Sequence, residues 1–195
     1  MGNPLMPLRQ PGVGGDGPLS VHLAPMRRRH LRRVLEIEHK VYPNPWTLGL
    51  FLSELGQPRD RFYVVARITG KVAGYAGLMI GYEESHVTNI AVDPSWQRHQ
   101  VATRLLINLH GAALKHSTRN MTLEVRLSNA PAQAMYRQFG FETEGIRKNY
   151  YVENQEDALV MWAHDIDSDA YLRRIEQIKS AIRGVTVDET GVAAL

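Results

Sequence analysis

The stretch that most constrains this fold runs from residue 89 to residue 103 and reads NIAVDPSWQRHQVAT. Its apolar opening completes a strand predicted over 86–92, and its end leads into a helix predicted over Gln97–His116, with an apolar line of Val101, Leu105, Leu109 and Ala112. A helix start presents free backbone N–H groups and the positive end of the helix dipole, which suits an anion such as a pyrophosphate. Arg98 and His99 would add positive charge there. A plain connection between strand and helix is the alternative that these residues leave open.

Strands and helices are mixed in order on both sides of this stretch. Seven strands are predicted, over Leu19–Ala24, Phe62–Ile68, Val72–Tyr82, His86–Val92, Met121–Leu127, Phe141–Val152 and Asp157–Ala163. The other predicted helices are Arg27–Tyr42, Leu48–Leu55 with Thr47 as N-cap, Ala130–Phe139 and Tyr171–Arg183, and Gly70-Lys71 is expected to form a hairpin turn. Several strands follow one another directly. The predicted fold class is therefore α/β, with a mixed, mostly antiparallel sheet of about seven strands flanked by helices.

A second informative segment, LEVRLSNAPAQAMY, runs from Leu123 to Tyr136. Glu124 lies on the polar face of an alternating strand, and Asn129 and Tyr136 are seven residues apart, on the same side of the next helix. A carboxylate and a phenol that converge near a helix N-terminus are suited to act as base and acid. Taken alone, the residues favour the alternative of a core tyrosine, with Glu124 paired to Arg126 or facing solvent.

Composition narrows the class of protein. The chain has 195 residues and no cysteine, which excludes disulfides and thiolate chemistry. Its net charge of +3 does not by itself indicate a nucleic-acid binder. No run of about 18 apolar residues is present and no metal-ligand spacing is found, so we expect a cytoplasmic protein without a membrane partner or a metal. Residues 1–18, with four prolines and five glycines, predict a flexible tail, and residues 164–195 a helical extension with a loose end.

Together, the two segments resemble the GNAT superfamily of acyl-CoA-dependent N-acetyltransferases. The family's pyrophosphate loop, Q/R-x-x-G-x-G/A, matches Gln97–Ala102, and the segment from Leu123 to Tyr136 is similar to its ribosomal-protein-alanine N-acetyltransferases and their N-terminal acetyltransferase relatives. Further similar stretches lie within Glu38–Phe51, at Asn89–Pro94 and within Ile146–Ala158. The resemblance implies the GNAT fold and an acetyltransferase domain over about residues 19–163.

The resemblance also implies direct transfer of acetyl from acetyl-CoA to a protein α-amino group, most specifically the N-terminal alanine of a small-subunit ribosomal protein. Glu124 would accept the proton of the amine, Tyr136 would protonate the departing thiolate, and the N–H of Val92 would stabilise the oxyanion. Acetyl-CoA would be held by backbone groups and one side chain: Ile90, Ala91, Val92, Arg98, His99, Gln100, Val101, Ala102, Thr103 and Asn129. A monomer that acts on an N-terminal peptide is expected.

Gln100 departs from the family pattern, which has glycine there because the backbone approaches a phosphate closely. Weaker cofactor binding is the expected consequence, and Gln100 is the one sequence feature that supports a non-catalytic CoA-binding protein. A second alternative is an acetyltransferase for another amine: a lysine, a polyamine or an aminoglycoside. The five arginines between residues 27 and 33 are interpreted as a solvated helix face, with RNA or ribosome contact as the alternative.

Overall fold

The computed structural model describes residues 18–192 as a sheet of eight strands with helices packed on both faces. The strands are β1 (Ser20–Pro25), β2 (Arg61–Ile68), β3 (Lys71–Ile80), β4 (Glu84–Val92), β5 (Asn120–Arg126), β6 (Glu142–Tyr151), β7 (Glu156–Ala163) and β8 (Val185–Asp188). The helices are α1 (Leu31–Val41), α2 (Leu48–Leu55), α3 (Val101–Lys115), α4 (Ala130–Gln138) and α5 (Asp169–Ser180). Among these residues, no helix is long and apolar enough to cross a membrane.

The sheet order is β6-β7-β5-β4-β3-β2-β1-β8. Only β4–β5 and β1–β8 are parallel neighbours, so the predicted mixed, mostly antiparallel sheet is confirmed. The β4–β5 pairing stops early, because it joins only Glu84–His86 to Asn120–Thr122. Beyond this point β4 remains paired only with β3, and β5 only with β7. A bulge in β4 leaves Thr88 without a partner residue in β3. The sheet is therefore open at its centre, at the ends of β4 and β5.

Side-chain alternation along the strands separates two apolar layers. In β2, Val64 and Ala66 belong to the layer that contains Leu105 of α3, whereas Tyr63 and Val65 belong to the layer of α1 and α2. The second layer is centred on Phe51, whose ring meets Trp46, Tyr63 and Tyr75 at centroid distances of 5.3–6.4 Å. Both faces of the central strands are thus covered by packed apolar side chains.

Several predicted boundaries hold and others shift for reasons of backbone conformation. Thr47 caps α2 as predicted, since its hydroxyl oxygen accepts the N–H of Leu50 at 3.2 Å. The helix predicted from Gln97 begins only at Val101, because Arg98 and Gln100 have φ values of 65° and 56°, which a right-handed helix excludes. The hairpin turn is Thr69-Gly70, not Gly70-Lys71, with positive φ at both residues.

The loose end predicted after the last helix is wrong at residues 185–188, within the part of the chain that the structure describes. Residues 185–188 form β8, which pairs in parallel with β1 and raises the strand number from about seven to eight. Gly184 makes this possible with a φ of 84°, at a point where an added Cβ would lie 2.3 Å from the carbonyl oxygen of Leu19. Tyr171, Ile175 and Ile178 of α5 join the core. The flexible tail predicted over 1–18 lies, apart from Pro18, outside the described residues.

Candidate active site

A cavity of about 1060 Å³ occupies the opening between β4 and β5. The backbone of β4 turns one hydrogen-bonding edge toward it. Asp93 donates its N–H to Ala73 of β3 at 2.8 Å, whereas the Ile90 carbonyl accepts from the Tyr42 hydroxyl at 2.9 Å. Because residues two apart in a strand present their main-chain groups to the same edge, the N–H of Val92 faces the opening with Ile90.

Most of the residues predicted to hold acetyl-CoA meet at this cavity. The lining includes Ile90, Ala91, Val92, Arg98, Gln100, Val101, Ala102, Thr103 and Asn129. His99 points elsewhere: its ring packs edge-on against Trp96 at 5.8 Å, and its Nδ1 lies 2.8 Å from the carbonyl oxygen of Gln97. Asn129 also caps α4, because its side-chain oxygen accepts the N–H of Ala132 at 3.2 Å.

The 97–100 loop accommodates Gln100 where glycine was expected. Gln100 adopts the left-handed conformation, which costs a non-glycine residue about 1 kcal/mol. Its carbonyl accepts the N–H of Arg104 at 3.2 Å, which is the first hydrogen bond of α3. The glycine-like backbone is therefore retained without glycine, and the N-terminus of α3 faces the cavity.

Glu124 lies at the cavity wall with its side chain 7 % exposed. Its two carboxylate oxygens lie 3.0 Å from His86 Nε2 and 3.0 Å from an Arg147 guanidinium nitrogen. Burial raises the pKa of Glu124, but the His86 contact and the positive charge of Arg147 outweigh it, so that the pKa lies below its usual range. Glu124 is therefore ionised at neutral pH, as an acceptor of a proton must be.

Tyr136 lines the same cavity from α4, and its ring packs on Phe141 at a centroid distance of 5.8 Å. Burial, reinforced by the nearby Tyr151, raises the pKa of Tyr136 well above its ordinary value. The phenol consequently keeps its proton at physiological pH. An ionised carboxylate and a protonated phenol thus face one cavity, which is the division of roles that base and acid require.

Glu38 is a cavity residue that sequence reasoning did not single out for the site. It is 1 % exposed, its Oε2 accepts the N–H of Trp46 at 2.7 Å, and its Oε1 has no partner among the described residues. Burial raises the pKa of Glu38 to about 7, although the Trp46 N–H opposes the shift. The available signal was its position: Glu38 follows Val34 and Leu35 at helical spacing, on the apolar face of α1.

The five arginines between residues 27 and 33 differ in their surroundings. Arg33 reaches Asp93 at 2.5 Å, beside Lys40 at 2.9 Å, while the side chain of Asp93 is only 2 % exposed. The pKa of Asp93 is lowered to about 2, because hydrogen bonds from Ser95 and the charges of Lys40 and Arg33 outweigh the effect of burial. Arg33 therefore anchors the turn that follows β4, and the four arginines that remain exposed are Arg27, Arg28, Arg29 and Arg32. Within residues 18–192, no group of three or more potential metal ligands occurs.

Comparison with known proteins agrees with this geometry. Residues 31–141 match the acetyltransferase (GNAT) family. The chain is 39% identical over 137 residues to a Bacillus subtilis protein provisionally assigned as a [ribosomal protein bS18]-alanine N-acetyltransferase, with 70% of this chain and 91% of that protein covered. It is 35% identical over 147 residues to the N-alpha-acetyltransferase RimI of Mycobacterium tuberculosis, with coverage of 72% and 90%.

The fold shows the same relationship. The crystal structure of the ribosomal-protein-S18-alanine N-acetyltransferase from Escherichia coli superposes with a TM-score of 0.68 at 31% identity, covering 74% of this chain and 94% of that one. Because the superposition covers 94% of the Escherichia coli chain, the assignment rests on the whole domain rather than on one motif. The chain belongs to the GNAT acetyltransferase family.

Proposed function

We propose that this protein transfers the acetyl group of acetyl-CoA to the N-terminal α-amino group of ribosomal protein bS18, at alanine. The observation that carries the proposal is the single cavity that contains the ionised Glu124, the protonated Tyr136 and the open N-terminus of α3. Two relatives support it by their names: the protein provisionally assigned as a [ribosomal protein bS18]-alanine N-acetyltransferase, at 39% identity, and the N-alpha-acetyltransferase RimI, at 35% identity, each covered over about nine-tenths of its length.

Acetyl-CoA fits the donor side of this cavity. The free N–H groups at the start of α3, together with Arg98, would bind the pyrophosphate, and the open edge of β4 at Ile90 and Val92 would pair with the amide-containing arm of the cosubstrate. On this edge, the Ile90 carbonyl accepts a hydrogen bond from the Tyr42 hydroxyl at 2.9 Å. The thioester would then lie between β4 and β5, near Glu124.

The reaction is a direct acyl transfer. The neutral amine attacks the thioester carbonyl carbon, the N–H of Val92 stabilises the oxyanion, and Glu124 takes the proton of the amine directly or through water. The C–S bond breaks as Tyr136 protonates the CoA sulfur. The proton on Glu124 then returns through solvent to the Tyr136 phenolate, which restores both groups for the next turnover.

The chemistry of the base favours an α-amine over a lysine. An α-amino group has a pKa of about 8 and a lysine of about 10.4, so a larger fraction of the α-amine is neutral near pH 7. A carboxylate with a lowered pKa, as at Glu124, is a weak base that suffices only for the less basic amine. The proposal includes a cytoplasmic enzyme that meets its acceptor as an exposed N-terminal peptide. Because the cavity is lined by residues of one chain, the proposed enzyme acts as a monomer.

The test compares acceptors under identical conditions. A peptide with the bS18 N-terminal sequence, an N-blocked copy that contains lysine, a polyamine and an aminoglycoside are incubated with acetyl-CoA and enzyme, and products are identified by mass spectrometry. We expect one acetyl group on the free α-amine alone and a loss of roughly 10²–10⁴-fold in kcat for Glu124→Gln. Acetylation of the lysine or of a small amine in preference to the peptide would contradict the proposed acceptor. Binding of acetyl-CoA without transfer to any amine would contradict catalysis.

A further inference from the structure

Arg104 is a buried arginine of α3, 1 % exposed, whose guanidinium joins two parts of the chain that are far apart in sequence. On the side of the 97–100 loop, its Nη1 donates to the carbonyl oxygens of His99 at 3.0 Å and Gln100 at 3.2 Å. On its other side, Nη2 donates to the Arg183 carbonyl at 2.5 Å and Nε to the Thr186 hydroxyl at 2.8 Å. One side chain therefore fixes the carbonyls of the 97–100 loop to the segment that leads into β8.

Gln100 makes a second connection between the same two segments. Its side-chain nitrogen donates to the Ala181 carbonyl at 3.2 Å, and its side-chain oxygen accepts the N–H of Arg183 at 2.9 Å. Gln100 is also the residue held in the left-handed conformation at the start of α3. The strained backbone of the loop is thus stabilised by contacts to the C-terminal extension, defined here as residues 164–192.

The extension lies outside residues 31–141, the part of the chain that matches the family. It is nevertheless built into the domain through α5 in the core and through β8 beside β1. Arg104 binds the carbonyls of His99 and Gln100, while Arg98 and Gln100 of the same loop line the cavity. A flexible loop would have to be ordered on each binding event, and a loop that is already ordered avoids that entropy.

We propose that the C-terminal extension positions the 97–100 loop for the pyrophosphate of acetyl-CoA, through Arg104 and Gln100, and so replaces the loop glycine that this chain lacks. Arg104 is a positioning residue, since its donors are used by main-chain carbonyls and the Thr186 hydroxyl. The inference rests on the proposed function, because it takes the loop as the pyrophosphate site.

The experiment uses two acetyl donors that share the thioester and the amide-containing arm. Acetyl-CoA also carries the pyrophosphate and the 3′-phosphoadenosine beyond it, and S-acetylpantetheine lacks both. For Arg104→Met and Thr186→Val in the full chain, we expect KM and Kd for acetyl-CoA to rise about tenfold, with kcat unchanged. We expect kcat/KM with S-acetylpantetheine to stay at the wild-type value. A structural defect would lower the reaction with both donors equally, and that result would overturn the proposal.

Asn108 supplies a matched control on the same helix. Its amide nitrogen donates to Asp188 at 2.8 Å and to Thr190 at 3.0 Å, so Asn108→Ala removes bonds from α3 to the extension without touching the loop. We expect this variant to lower the melting temperature and to leave the Kd for acetyl-CoA unchanged. An equal rise in Kd for Asn108→Ala and Thr186→Val would contradict a role specific to the loop.

Substitutions of Gln100 separate the tether from the backbone strain. Gln100→Ala keeps a residue that is strained at positive φ and loses the tether, whereas Gln100→Gly loses the tether and relieves the strain. We therefore expect Gln100→Gly to bind acetyl-CoA more tightly than Gln100→Ala, and the reverse order would contradict the proposal. These variants and Thr186→Val decide the question if Arg104→Met does not fold. A wild-type enzyme that binds no acetyl-CoA in calorimetry would instead refute the proposed function.

Discussion

His86 Nε2 lies 3.0 Å from a carboxylate oxygen of Glu124, and this contact crosses from β4 to β5 at the point where the two strands separate. His86 is the last residue of β4 that pairs with β5, and Glu124 lies two residues beyond the partner of His86. The side-chain contact therefore continues across the opening where the backbone pairing has stopped. It holds the carboxylate at the cavity wall and favours its ionised form.

Replacing His86 is expected to change the pH dependence of catalysis. In His86→Leu the carboxylate loses its main stabilising partner, so the pKa of Glu124 rises and less of it is ionised at mildly acid pH. We expect the acid limb of the kcat profile to move to higher pH, with activity at pH 8 close to wild type. Arg147→Met is the control, because Arg147 is 56 % exposed and its charge is screened by solvent. A larger shift for Arg147→Met than for His86→Leu would contradict this assignment.

Tyr136→Phe tests the proposed acid. The substitution keeps the ring that packs on Phe141 and removes only the hydroxyl, so we expect a free energy of unfolding within about 1 kcal/mol of wild type. In steady-state kinetics kcat should fall by roughly 10²–10³-fold while KM for acetyl-CoA is retained. Tyr171→Phe, at a buried tyrosine that stacks on His110 away from the cavity, should leave kcat unchanged. An unchanged kcat in Tyr136→Phe would exclude the phenol as the proton donor.

Glu38→Gln is expected to stabilise the protein at alkaline pH. The pKa of Glu38 is raised from 4.5 to about 7 in the folded state, so wild-type stability is highest below pH 4.5 with respect to this group and falls as the pH rises through 7. Glutamine keeps an oxygen for the Trp46 N–H and never ionises. Chemical denaturation at pH 8 should show a gain of about 2 kcal/mol, and the gain should shrink as the pH falls and vanish below pH 4.5.

The exposed Glu36 on the same helix is the matched control for this measurement. It pairs at the surface with Arg32 and Arg33, and the Arg33 contact lowers its pKa, so Glu36→Gln should bring no gain at pH 8. Equal stabilisation by both substitutions would show that net charge, rather than the burial of Glu38, is responsible.

Asp93→Asn is expected to destabilise the turn between β4 and the 97–100 loop. The ionised side chain pairs with Arg33 and Lys40, and its contribution is present above pH 3.8 and lost as the pH falls toward the folded pKa of about 2. We expect the free energy of unfolding to drop by about 2 kcal/mol at pH 7, with the difference shrinking below pH 4. Asp165→Asn, which breaks the exposed pair with Arg119, should cost much less. Comparable losses for the two variants would contradict a special role for Asp93.

Local sequence patterns predicted most of the strands and helices and the positions of the two candidate catalytic side chains. The alternating residues of β5 and the spacing of Asn129 and Tyr136 depend on periods of 2 and 3.6 residues, which are properties of neighbouring residues. For this reason the strands, the helices and the positions of Glu124 and Tyr136 beside a helix start could be predicted from the chain alone. Whether these two side chains act as base and acid stays a prediction for the kinetic measurements.

The tertiary structure alone decided the contacts between residues distant in sequence. β8 is only four residues long and becomes a strand because β1, about 165 residues earlier, offers a free edge. The left-handed Gln100 depends on partners more than 80 residues away, and His86 meets Glu124 only because two strands pair in parallel and then diverge. Periodicity reports which face of an element is apolar, but it carries no information about which distant segment covers that face. Long-range pairing and the burial of single polar groups therefore had to come from the folded chain.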